Sequence, residues 1–206
     1  MITPDPGDPE AVLAYLSDPI QAIWIALDDG VSFADTTLTQ LRSDAWMWAH
    51  LVRYRAAALL EKSTDSSWRF CWKRHSGIEV AKGPFVMRAF KTQEGGPPAP
   101  GRNRARRQFW TQPRQLAFPI WGDVLEIQEG ANLILDWTAT DEREVLLALS
   151  RPAGIWDYKA DPILEWRRPI EFDLDNEPSF VGGGEEDVDV YVELDLDEID
   201  AEGDAG

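Results

Sequence analysis

The sequence predicts an α+β protein, with an N-terminal helical layer packed on a mainly antiparallel β-sheet and an acidic C-terminal tail that adds a strand. Three observations predict it. Capped, 3.6-periodic segments fill the first 62 residues. From Trp68 onward the pattern changes to short alternating segments separated by turn residues. No helical segments alternate with these strands, which disfavours a doubly wound parallel sheet.

The helical region, residues 1–62, opens with Asp8-Pro9 and Asp18-Pro19. Each places a capping carboxylate before a proline at the first helical position. Helices are expected over 9–17 and 19–28, with Gly30 ending the second. Ser43 or Asp44 then caps a longer helix to Lys62, in which Trp48, Leu51, Val52, Leu59 and Leu60 recur at helical spacing, with Arg53 and Arg55 interleaved.

The mainly β region covers 67–172. Strands are expected around Phe70–Trp72 and Ile78–Val80, joined at Ser76-Gly77, and over Phe85–Lys91 after a Gly83-Pro84 turn. The run Gly95-Gly96-Pro97-Pro98-Ala99-Pro100-Gly101 breaks regular structure and leads into a short helix, Arg102–Trp110. Further strands are expected over 115–121, 123–128, 131–138, 143–151 and 163–172, with 131–138 and 143–151 forming a hairpin around Thr140-Asp141-Glu142.

Composition narrows the function classes. The single cysteine, Cys71, excludes an internal disulfide and a cysteine-cluster metal site. Its place between Phe70 and Trp72 reads as strand packing. No apolar run approaches the roughly 20 residues needed to cross a bilayer, and Met1–Glu10 lacks the basic and apolar parts of a signal peptide. A cytoplasmic protein with no membrane contact is expected. No zinc-protease helix motif or calcium-loop spacing is present, and the prolines after Gly95-Gly96 remove N–H donors that a phosphate loop uses, so neither metal nor cofactor is expected.

The net charge of −17 is unevenly spread. Residues 1–41 carry −7, residues 42–114 carry +10 and residues 115–206 carry −20. The basic middle holds the strongest local feature, Arg102, Arg104, Arg106 and Arg107 beside Phe109 and Trp110. Guanidinium groups bind phosphates bidentately, and Trp110 would supply a stacking surface. Lys82, Arg88 and Lys91 on neighbouring strands would extend the anion-binding patch. The competing reading is a solvated face whose arginines pair with the chain's many carboxylates. His50 and His75, the only histidines, each lie near cations and would suit metal-independent phosphodiester cleavage, although no spacing rule supports the pair.

The tail, residues 173–206, carries fourteen acids and no base. Beyond Gly182-Gly183-Gly184, the residues Val188, Val190, Val192 and Leu194 alternate with acids, a strand pattern fitted to partner binding by strand addition. The expected function is a non-enzymatic binding or regulatory protein. Its basic middle contacts nucleic acid or an acidic partner, and its tail masks that surface or recruits a basic partner protein. The alternatives are a nuclease-like enzyme using His50 and His75, and a protein-interaction module acting through the tail strand.

A tethered polyanion competes at high local concentration, on the order of millimolar for a short flexible linker. Truncation before Asp173 is therefore expected to strengthen oligonucleotide binding, and added salt to shrink the difference. A titration giving equal affinities for full-length and truncated protein rejects the masking role.

Overall fold

The structure, a computed structural model, describes residues 3–37, 44–63, 67–73, 77–92, 96–97, 109–110, 131–154 and 163–172. The expected strands 115–121 and 123–128 and the tail strand lie outside these residues. Three N-terminal helices pack on a mostly antiparallel sheet, which is the α+β arrangement the sequence predicts.

Helix α1 spans Pro9–Tyr15, α2 Ser17–Thr37 and α3 Ala45–Lys62. Asp8 caps α1 by accepting from the backbone N–H groups of Glu10 and Ala11, each at 3.2 Å. Asp44 caps α3 in the same way, accepting from Trp46 and Met47 at 3.0 Å. Both carboxylates also face the positive ends of their helix dipoles.

One expectation is corrected here. Gly30 does not end α2, which runs seven residues further to Thr37. Gly30 is buried where α2 crosses α3, and a Cβ built on it would stand 2.6 Å from the Val52 carbonyl oxygen. The glycine thus serves the close approach of two helix backbones, and tertiary packing outweighs its weak helix propensity.

Among the described residues six strands form one sheet: β1 Arg69–Lys73, β2 Gly77–Lys82, β3 Phe85–Lys91, β4 Ala131–Ala139, β5 Val145–Pro152 and β6 Leu164–Ile170. They lie side by side in sequence order. Every neighbouring pair is antiparallel except β3 and β4, which run parallel, with Phe85 opposite Ala131 and Lys91 opposite Trp137. The sheet is therefore two three-stranded meanders joined by one crossover, residues 92–130. The β2–β3 turn is Gly83-Pro84, with Gly83 at φ 54°, a conformation glycine adopts without penalty.

Register assigns the faces. Phe85, Met87 and Ala89 on β3, Leu133, Leu135 and Trp137 on β4, and Leu147 and Leu149 on β5 share the face under the helices. Tyr15 packs on Phe85 with ring centroids 5.7 Å apart, and Trp48 on Trp137 at 6.3 Å. Trp24 Nε1 donates to the Val145 carbonyl at 3.1 Å, tying α2 to the sheet. The opposite face carries Phe90 and Ile134, which pack with Phe109 and Trp110 of the crossover. Asn132 Nδ2 fixes that segment by donating to the Phe109 carbonyl at 2.9 Å.

The glycine contact generates a prediction. Gly30→Ala adds a good helix former, yet it forces two backbones apart, and overpacking of this kind costs about 1–3 kcal/mol. A lower urea midpoint with unchanged slope is expected. An unchanged or raised midpoint would show that α2 and α3 have room to separate.

Candidate functional site

The described part of the anion-binding set does not form one patch. Lys82 is buried on the helix-covered face, where Nζ meets Asp18 Oδ2 at 3.0 Å and lies over the Tyr15 ring. Asp18 thus holds a strand lysine and shows no cap contact. Arg88 lies on the opposite face, paired with Glu79 of β2 and stacked over Phe109 at 4.2 Å. Trp110 is 2% exposed and belongs to the core cluster, so in this structure its ring offers no open stacking surface. Arg102, Arg104, Arg106, Arg107, His75, Val188, Val190, Val192 and Leu194 lie outside the described residues.

Other strand arginines are also engaged within the fold. Arg167 Nη2 meets Asp136 Oδ2 at 2.6 Å, and Ser150 donates to the other oxygen of that carboxylate at 3.3 Å. Asp136 is buried, and removing one partner of such a pair costs about 3–5 kcal/mol. Arg151 pairs with Glu165 at 2.8 Å. These strand arginines are paired within the fold, and Lys91 stands in a different position.

Lys91 ends β3 on the helix side and opens into a cleft of about 370 Å³. The cleft sits at the carboxyl ends of the two parallel strands, between the C-terminal part of α2, the first turns of α3 and the β4–β5 turn. Val31, Ala45 and Ala139 supply apolar wall, and Trp48 a flat one. Asp35 accepts from Trp48 Nε1 at 2.8 Å and pairs with Arg143 Nε at 2.9 Å. Arg143 adopts φ 72°, a left-handed conformation uncommon for arginine, at the end of a turn in which its N–H donates to the Thr140 carbonyl. The Lys91 ammonium lies 4.5 Å from the Trp48 ring centroid. Burial, and then the Arg53 charge, hold its pKa below the usual lysine value.

On the outer face of α3, Trp46, His50 and Tyr54 follow one another four residues apart. Trp46 is 64% exposed and Tyr54 43%. The Trp46 and His50 rings pack against each other at a tilt of 57°, with centroids 4.2 Å apart. Although His50 is exposed at its edge, partial burial and then the nearby Arg53 guanidinium lower its pKa from 6.5. The i, i+4, i+8 spacing is visible in the sequence, but the apolar periodicity of this helix draws attention to its inner face instead.

Among the described residues no group of His, Cys, Asp and Glu is placed to hold a metal ion, and no helix is long and apolar enough to cross a membrane. Comparisons with protein-family models, with curated proteins and with solved structures each find no match.

Between the lowered, folded value of the His50 pKa and 6.5 the unfolded chain binds more protons, so His50 adds to stability as pH rises through that window, and its penalty is fully present below the folded value. Over about pH 5 to 8, His50→Gln is expected to flatten part of the pH dependence of the urea midpoint. Parallel curves for the two proteins would rule this out.

Proposed function

We propose that this chain is a non-enzymatic binding protein that takes single-stranded nucleic acid along the outer face of α3. The observation that carries the reading is the exposed aromatic ladder Trp46, His50, Tyr54 with Arg53 beside it. A helix rises 1.5 Å per residue, so the backbone positions of successive rungs lie about 6 Å apart. The Trp46 and His50 rings lean together at 4.2 Å and offer one joint surface for a base, with Tyr54 a second one further along the helix. Bases stack on such rings with little sequence preference, and a neighbouring cation favours the phosphates. A duplex hides its base faces and gains only the charge term. The arginines of 102–107 enter this proposal from sequence alone, as a second contact for the backbone. The acidic tail is its intramolecular competitor.

The test is a titration of fluorescent single-stranded and duplex oligonucleotides at about 50 and 200 mM salt. The expected result is weak, salt-sensitive binding that favours the single strand. Replacing both Trp46 and Tyr54 with Ala lowers affinity by about tenfold or more, since each stacked base contributes about 1–3 kcal/mol. The melting temperature stays within a few degrees, because both side chains are exposed. No salt-dependent binding by the wild-type chain overturns the proposal. Cleavage of the oligonucleotide that is lost in His50→Gln would favour the nuclease-like alternative.

A further inference from the structure

We infer that the cleft at the carboxyl ends of β3 and β4 is a binding site for a small organic anion, a carboxylate or phosphate monoester carrying a flat apolar body. The inference is separate from the α3 ladder, because these side chains line the other side of the first turns of α3. Lys91 is half-buried in the cleft wall, and a partly desolvated ammonium is costly without a counter-charge. Among the described residues it meets no carboxylate, and the contact it does make is with the face of Trp48 at 4.5 Å.

The acids of the cleft do not correct this. Asp35 is committed to Arg143 and to Trp48 Nε1. Asp141 lies in the exposed hairpin turn, where water screens it. Arg53 adds a second positive charge close enough to act on Lys91. Among the described residues no acid supplies the counter-charge, and an anion from outside would supply it.

The remaining wall says what the anion is attached to. Arg143 binds Asp35 through Nε, which leaves its two terminal nitrogens as donors. Thr140 Oγ1 accepts from the Glu144 N–H at 3.1 Å, which leaves its hydroxyl proton available to donate. Lys91, Arg143 and Thr140 are three donor side chains around one cavity. Val31, Ala139 and the Trp48 ring face the same space and suit a planar apolar group. A volume of about 370 Å³ holds a molecule of one ring and one anionic group and excludes a polymer.

The probes are phenyl phosphate, benzoate and the neutral benzyl alcohol, added to the full chain and followed by calorimetric titration and melting temperature. Saturable binding of phenyl phosphate, benzoate or both is expected, and none of benzyl alcohol. The two anions distinguish a phosphate site from a carboxylate site. At about five times Kd the melting temperature rises by about 2–4 °C. Lys91→Met keeps the apolar stem and removes the half-buried charge, so the variant folds, and it is expected to lose at least about tenfold in affinity. Arg143→Asn tolerates the left-handed backbone and gives a smaller loss. The α3 double variant binds these probes as the wild type does, which separates this site from the nucleic-acid reading. The inference is overturned if neither anion binds saturably, if benzyl alcohol binds equally well, or if Lys91→Met binds undiminished.

Discussion

The parallel pairing of β3 with β4 is the constraint on which the rest of this structure depends. Six strands connected only by hairpin turns would make a simple meander with both faces open to whatever the termini supply. One parallel pair changes that, because the chain must travel from the carboxyl end of β3 back to the amino end of β4 before it can continue. The crossover, residues 92–130, brings Phe109 and Trp110 onto the face away from the helices, where they bury Phe90 and Ile134. The helices bury the other face through Tyr15, Trp24 and Trp48. The central strands are apolar on both sides, as Ile134, Leu135 and Trp137 show, and such strands suit a sheet covered on both faces.

The same pairing places the cleft. In parallel strands the carboxyl ends lie together, so Lys91 from β3 and Ala139-Thr140 from β4 reach the same end of the sheet. Open sheets with parallel neighbours tend to bind ligands at that end, because the chain leaves each strand there and loops gather above it. Here α2 and α3 close the space from above. Their separation is set by Gly30 against Val52, and the Asp35 contacts to Trp48 and Arg143 join α2 to α3 and to the hairpin turn.

Much of the fold was legible because local chemistry specifies it. Asp8 and Asp44 are capping residues by type and position, and they cap. The hairpin of β4 and β5 follows from two apolar segments around a polar turn. What was not legible depended on register and on distant contacts. Lys82 and Arg88 sit six residues apart across a two-residue turn, and only the pairing of Lys82 with Phe85 and of Glu79 with Arg88 shows that they face opposite ways. Gly30 has the same local signal whether it ends a helix or admits a neighbour. The parallel pairing of β3 and β4 carries no mark in either strand, because alternation predicts strands without predicting direction. Of the candidate site, Lys91 was legible as a basic strand residue, but its lack of a carboxylate partner was not. That property belongs to the surrounding space, and the other strand cations differ from Lys91 in just this respect.

Arg143 shows how the cleft is held ready. A left-handed backbone at a residue other than glycine, asparagine or aspartate costs on the order of 1 kcal/mol. The turn imposes it through the Arg143 N–H to Thr140 carbonyl bond and the Thr140 N–H to Glu144 carbonyl bond. Asp35 then holds the guanidinium by its Nε, from another element. An arginine free in solution would lose about 2 kcal/mol of side-chain entropy on binding an anion. Here part of that loss has been taken during folding, in a contact made through Nε by a residue that lines the cleft. Asp35 is therefore a positioning group for Arg143, and its negative charge does not oppose an anion in the cleft because the guanidinium already neutralises it. The attraction for an anion then rests on Lys91, the one cation lining the space that the fold leaves without an acid among the described residues.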